Sequence, residues 1–242
     1  MRKKRWSKIA VGALVLVVVF LTAMYTVVPG KVMTRLNFVT KPGPYAISNE
    51  ALALHKRLFV VDLHADPLLW SRDLAVRDVR GHVDIPRLIE GGVALQGFGA
   101  PTRIPMTMNI NATPDKADVL MPLVFFQGWP ADTWNSPFRR ALYQAQRLEA
   151  VARASKGKFI IIKYKEDLRK YLELRQKDAS ITAGFLGIEG LHCLDGKLEN
   201  VDALYEAGFR MMAPTHFFDN QLGGSAHGME KYGITDFGKA VI

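Results

Sequence analysis

Between Ile9 and Val28 the chain runs twenty residues without a charge. At helical rise this stretch spans about 30 Å, the thickness of a bilayer core. The pattern then changes. Short apolar runs of strand length alternate with stretches whose apolar residues recur at helical spacing. Leu58 to Leu63, Val93 to Phe98, Phe159 to Ile162, Ile181 to Ile188 and Arg210 to Pro214 read as strands. Between them, Glu50 to Arg57, Asp84 to Glu90, Phe138 to Ala154, Glu166 to Leu174 and Leu198 to Ala207 read as helices, and a last one starts at Asp236. Ser48 or Asn49 is placed to cap the first of these, and Gly91 and Gly208 stand where helices stop. Leu142, Ala145, Leu148 and Ala152 give the longest its apolar stripe. Ala100 to Pro137 breaks the rhythm with six prolines, which exclude any long helix. That segment reads either as a loop over a site or as a surface insertion. Strands alternating with helices predict an α/β domain on a parallel sheet.

Charge adds an orientation. The net charge is +9, but Arg2, Lys3, Lys4, Arg5 and Lys8 precede the apolar stretch and no acid precedes Glu50. Without those five, 27 basic residues face 23 acidic ones. The remaining charges are mixed in sign, which argues against a nucleic-acid surface. The apolar stretch exceeds the usual core of a cleaved signal and offers no clean Ala-x-Ala at its end, so it reads as an uncleaved signal anchor, with a cleaved signal as the rival. The basic cluster predicts a cytoplasmic N-terminus and a domain outside the cytoplasm. The expected organisation is a basic tail over 1–8, an anchor over 9–28, a stalk over 29–50 containing Pro29, Pro42 and Pro44, and a domain over 51–242. Cys193 is the only cysteine, so no intrachain disulfide can form.

Candidate chemistry gathers where strands end, which is where reactive residues of α/β barrels collect. Val61-Asp62-Leu63-His64-Ala65-Asp66 places an imidazole and a carboxylate two residues apart, on one face of the chain. Such a pair can grip a divalent cation such as zinc. Glu189 follows the strand ending at Ile188, and a carboxylate there can reach across a barrel mouth and bridge two metals. Two cations sharing an oxygen ligand lower the pKa of a bound water. His216 follows the strand ending near Pro214 and is a candidate for hydrogen bonding a substrate or a tetrahedral intermediate. His192 reads as a packing or orienting residue. His55, His82 and His227 read as ordinary polar residues. Lys163 also ends a strand, and a carboxylated lysine there is the rival bridge of a different two-metal design.

The ordered motifs Val61–Asp66, Gly187-Ile188-Glu189-Gly190-Leu191-His192, Leu204–Arg210, Thr215-His216 with Asn220, and Gly233–Gly238 resemble those of the membrane dipeptidase (renal dipeptidase) family, over about residues 55 to 242. The resemblance implies a TIM-like metal-dependent hydrolase barrel with two zinc ions, hydrolysing dipeptides, including those with a C-terminal D-residue. It implies that His64 and Asp66 ligate one zinc and that Glu189 bridges both. His216 contacts the substrate or intermediate, and a metal-bridging hydroxide attacks the peptide carbonyl. A homodimer is a further family expectation. The chain differs from the family in carrying Ala65 between His64 and Asp66, where asparagine is usual. It also has Gln96-Gly97-Phe98 where Gln-Phe-Trp is common.

The same resemblance places two further histidines, an arginine and a late aspartate beyond the segment matching Gly233 to Gly238. Four strands, starting near Leu58, Val93, Ile181 and Arg210, read as barrel strands where closure needs eight, and Phe159 to Ile162 reads as an outer strand. The expectation is therefore the N-terminal portion of a longer enzyme, with its second metal site incomplete here. Two rivals remain: a non-catalytic binding protein that kept part of the fold, and the two-metal amidohydrolase built on Lys163.

Overall fold

The computed structural model describes residues 2–41 and 43–242, so Pro42 of the expected stalk lies outside the described residues, as do the side chains of the basic residues at positions 2–5. Helix α1 (Arg2–Leu36) contains the whole uncharged stretch. From Lys8 to Leu36 it is long and apolar enough to cross a membrane, and its most apolar window is not buried by the rest of the chain. The helix continues past Pro29, so the first residues of the expected stalk are helical. Pro29 removes one backbone donor, yet the helix runs on to Leu36.

The domain follows in chain order as α2 (Asn49–His55), β1 (Val60–Ala65), α3 (Ile85–Glu90), β2 (Val93–Ala100), α4 (Leu120–Phe126), α5 (Pro137–Ala154), β3 (Phe159–Ile161), α6 (Lys165–Lys177), β4 (Thr182–Glu189), α7 (Glu199–Ala207), β5 (Phe209–Ala213) and α8 (Asp236–Val241). Helix starts are specified locally. Ser48, Asp84, Ser136 and Thr235 each accept a hydrogen bond from a backbone N–H of the first turn they precede. Helix α4 lies inside the proline-rich segment. Its Pro122 falls in the first turn, where a missing N–H costs nothing.

All strand pairs are parallel. Strand β2 lies between β1 and β4, and β4 shares its other edge between two neighbours. β3 pairs with its start (Phe159 to Thr182, Ile161 to Gly184), and β5 pairs with its end (Gly187 to Met211, Glu189 to Ala213). The expected outer strand is therefore β3, and the run β1-β2-β4-β5 is the expected barrel series. Among the described residues this sheet does not close on itself. Its helix-covered face carries Phe98, Ala100, Leu186, Ile188 and Phe209, packed with Phe159 and with Leu148 of α5. Each large side chain so buried contributes roughly 1.5–3 kcal/mol. On the strands' other face Val61, Leu63 and Met211 are exposed.

Candidate metal centre

Parallel strands deliver their carboxyl ends to one edge of the sheet, and the chemistry of the chain collects there. His64 lies in β1 and Asp66 just after it. The Asp62 carboxylate accepts a hydrogen bond from the His64 N–H at 2.9 Å, at the point where the pairing of β1 with β2 shifts register. This bulge re-aims the strand end. Glu189 is the last residue of β4, so β2 separates the two ligand-bearing strands. β2 lets them meet because it is small where they converge. A Cβ on Gly99 would collide with Asp66 Oδ1 and stand 2.9 Å from His64 Cε1, and a Cβ on Gly97 would strike the Leu63 carbonyl.

His64 Nε2 lies 2.6 Å from Glu189 Oε1 and 3.4 Å from Asp66 Oδ1. One donor atom from each of the three lies within 4.8 Å of the others, which makes this a group able to hold a metal ion. Asp66 Oδ1 is buried without a hydrogen-bond partner. Burial and the neighbouring Asp66 push Glu189 up to about 7, and burial pushes Asp66 up as well, with His64 opposing both shifts. Two carboxylates and an imidazole crowded together, with one oxygen unsatisfied, are the donor set of a divalent cation such as zinc. The residues present fit such an ion. Beside them a cleft of about 160 Å³ is lined by Asp66, Pro67, Trp70, Arg72 and His82, with Asn37 reaching in from the end of α1.

His216 follows β5. Its Nε2 stands 3.6 Å from Glu189 Oε2, and its side chain is partly open to solvent. Burial, with His64 and His227 nearby, lowers its pKa. The Ser225 hydroxyl donates to the His216 carbonyl, and Asn220 Nδ2 donates to the Pro214 carbonyl at 2.9 Å, so the turn carrying His216 is tied down on both sides.

The structure places His192 outside this trio. It is buried, bonded through Nε2 to the Thr102 hydroxyl at 2.9 Å, and its ring centroid lies 4.9 Å from that of Phe218. Lys163 pairs with Glu149 of α5 at 2.5 Å, on the helical side of the sheet, so its ammonium is engaged away from the carboxylates. His55 bonds the Gly91 carbonyl and His227 the Ile110 carbonyl, both at 2.8 Å. Sequence reasoning missed Gly97 and Gly99. The signal available was small residues at alternate positions of an otherwise bulky strand.

A parallel α/β sheet with this donor set at its carboxyl edge fits a partial metal-dependent hydrolase fold. The family model described as membrane dipeptidase, peptidase family M19, matches residues 48–242, and the chain belongs to that family. Solved structures agree in fold. The dipeptidase AC, a metallopeptidase of family M19, aligns at TM-score 0.53 and 21% identity over 76% of this chain and 52% of its own. A metallopeptidase from Rhodobacter sphaeroides, liganded with a phosphinate mimic of the dipeptide L-Ala-D-Ala, aligns at TM-score 0.50 and 20% identity over 75% of this chain and 54% of its own. The probable dipeptidase PvdM from Pseudomonas aeruginosa aligns at TM-score 0.56 and 16% identity, over 79% and 45% respectively. The chain thus spans about half the length of these relatives. No curated protein matches its sequence.

Proposed function

We propose that this chain is the N-terminal part of a membrane-anchored, zinc-dependent dipeptidase. The observation that carries the reading is the convergence of His64, Asp66 and Glu189 at the carboxyl edge of a sheet whose sequence matches the M19 model. In this reading residues 9–28 span the bilayer with the basic tail in the cytoplasm, residues 29–50 lead into the domain, and residues 51–242 form the first part of a TIM-like barrel. His64 and Asp66 would hold one zinc, and Glu189 would share its carboxylate between that ion and a second one. A divalent cation bound there supplies a Lewis acid and lowers the pKa of coordinated water toward neutrality.

The remaining work falls to the chain's own residues. Burial and Asp66 raise Glu189 to about 7, so a cation held there would displace whatever proton its carboxyl carries. His216 stands where its imidazole N–H can hydrogen bond the oxygen of a dipeptide carbonyl as negative charge develops. The L-Ala-D-Ala mimic carried by the Rhodobacter sphaeroides relative supports dipeptides, including those with a D-residue at the C-terminal side, as the substrate class of this reading.

The test pairs binding with turnover in protein purified from its native membrane. Zinc content and L-Ala-D-Ala hydrolysis are measured before and after EDTA, and again for H64A and E189Q. The expected outcome is hydrolysis abolished by chelation and restored by zinc, with each variant losing at least tenfold in zinc affinity. Hydrolysis that survives chelation sinks the metallopeptidase reading. Zinc binding without turnover in the intact native protein favours the non-catalytic rival.

A further inference from the structure

Helix α4 carries Leu120-Met121-Pro122-Leu123-Val124-Phe125-Phe126, seven residues without a charge. Leu120 and Val124 face inward, onto Leu69 and Trp129. Met121 and Phe125, one turn apart on the helix, are 41% and 37% exposed. This short apolar helix packs against α1. The Tyr25 hydroxyl of α1 sits over Gly128, just past α4, where an added Cβ would collide with it, and Met33 of α1 is buried.

Where this contact falls along α1 sets its depth. The apolar stretch read as the span ends at Val28, the uncharged Pro29 and Gly30 come next, and Lys31 and Arg35 follow. Placing Ile9 to Val28 across the hydrocarbon core puts Tyr25 about 4.5 Å inside its outer edge, and Met33 about 7.5 Å beyond Val28 at helical rise. That is the headgroup layer, where amphipathic segments lie with their apolar face buried about 5–10 Å. The exposed face of α4 is thus anchored at the level of the bilayer surface, continuous with the helix that crosses it. Trp134 lies beside it, with ring centroid 4.8 Å from that of Phe125, and tryptophan favours this boundary.

We propose that α4 is a second membrane contact: Met121 and Phe125 insert into the outer boundary of the same bilayer that α1 spans. The domain is then held against the lipid surface at two places rather than swinging on a tether. This rests on the reading of α1 as membrane-spanning. The occupant of the face is lipid; a second copy of the chain is the competing outcome.

The experiment uses the full chain in vesicles of phosphatidylethanolamine and phosphatidylglycerol. Spin labels are placed singly on M121C, F125C, V17C in α1 and K170C in α6. Cys193 is buried and does not compete for label. Power saturation with oxygen and a water-soluble nickel complex reports depth. The expected result is V17C deep in lipid, M121C and F125C oxygen-accessible and nickel-protected at shallow depth, and K170C in water. Labels at 121 and 125 as nickel-accessible as K170C, with V17C still in lipid, overturn the proposal and leave the span intact. A water-exposed V17C overturns the span and the proposal with it. Labels at 121 and 125 shielded from both reagents and dipolar-coupled between copies assign the face to a dimer and also overturn it.

Discussion

Burial holds the His192 imidazole neutral far into the acid range, with its pKa lowered from 6.5 to about 3. Its Nδ1 has no hydrogen-bond partner, and Arg103, His216 and Arg140 nearby add repulsion to the cost of burying a protonated ring. The unfolded chain takes up a proton below about pH 6.5 that the folded chain refuses until about pH 3. His192 therefore costs nothing above pH 6.5 and erodes stability as pH falls through that window, by the order of 3 kcal/mol at pH 4. In H192Q, whose amide can keep the Thr102 contact, the loss of urea midpoint between pH 7 and pH 4 should shrink markedly. An unchanged loss would assign the acid sensitivity elsewhere. The site itself was legible at this scale where a polar residue ended an apolar run, as at His64, Asp66 and Glu189. Gly99 was not legible, because the need for a bare Cα comes from Asp66 and His64 on another strand.

At the scale of elements, α5 reads in sequence as a helix with an apolar stripe and a polar back. Of the stripe Leu142, Ala145, Leu148 and Ala152, the structure buries Ala145 and Leu148 and covers the other two in part, while Ala141 and Val151 complete the buried face. The structure adds that Arg140 and Gln144 are also buried, and their polar ends are met by loop carbonyls and by Asp118. Arg147 on the same helix donates to the carbonyls of Leu68 and Trp70, in and just after the 3-10 turn that follows Asp66. Gln127 holds the same turn from the end of α4, donating to the Leu69 carbonyl at 3.0 Å and accepting from the Ser71 N–H at 2.8 Å. These side chains brace the turn that follows Asp66. R147M should keep its helical circular dichroism and lose about tenfold in zinc affinity by calorimetry, the usual cost of removing a residue that orients a ligand. Wild-type affinity would mean the turn holds its shape unaided. No reading of periodicity finds such contacts, because a long polar side chain looks the same whether it meets water or a carbonyl. For the same reason α4 was hidden among prolines, although Pro122 in its first turn is compatible with a helix.

At the scale of the whole molecule, the alternation of runs sufficed for a parallel α/β sheet, and the β1-β2-β4-β5 series follows the order of the sequence. The shared edge of β4 did not follow, because pairing on one edge by two strands is a matter of register. The sheet's uncovered face, with Leu63 61% exposed, gives the 242-residue chain purified by itself an apolar patch open to solvent. In detergent, L63K should lower light scattering and binding of an apolar dye while shifting stability by no more than about 0.5 kcal/mol. A large loss of stability would show that the Leu63 side chain is covered after all. The placement of β2 between the two ligand-bearing strands has one more consequence, which concerns folding. His64 and Glu189 come from the first and fourth strands in the chain and meet across β2. A chain that collapses with β1 directly against β4 would set the two side chains at a different separation from the one they have across β2. Loss of cation affinity would therefore mark misordered strands before any enzyme assay could, and a cation present during folding would favour the correctly threaded sheet by mass action.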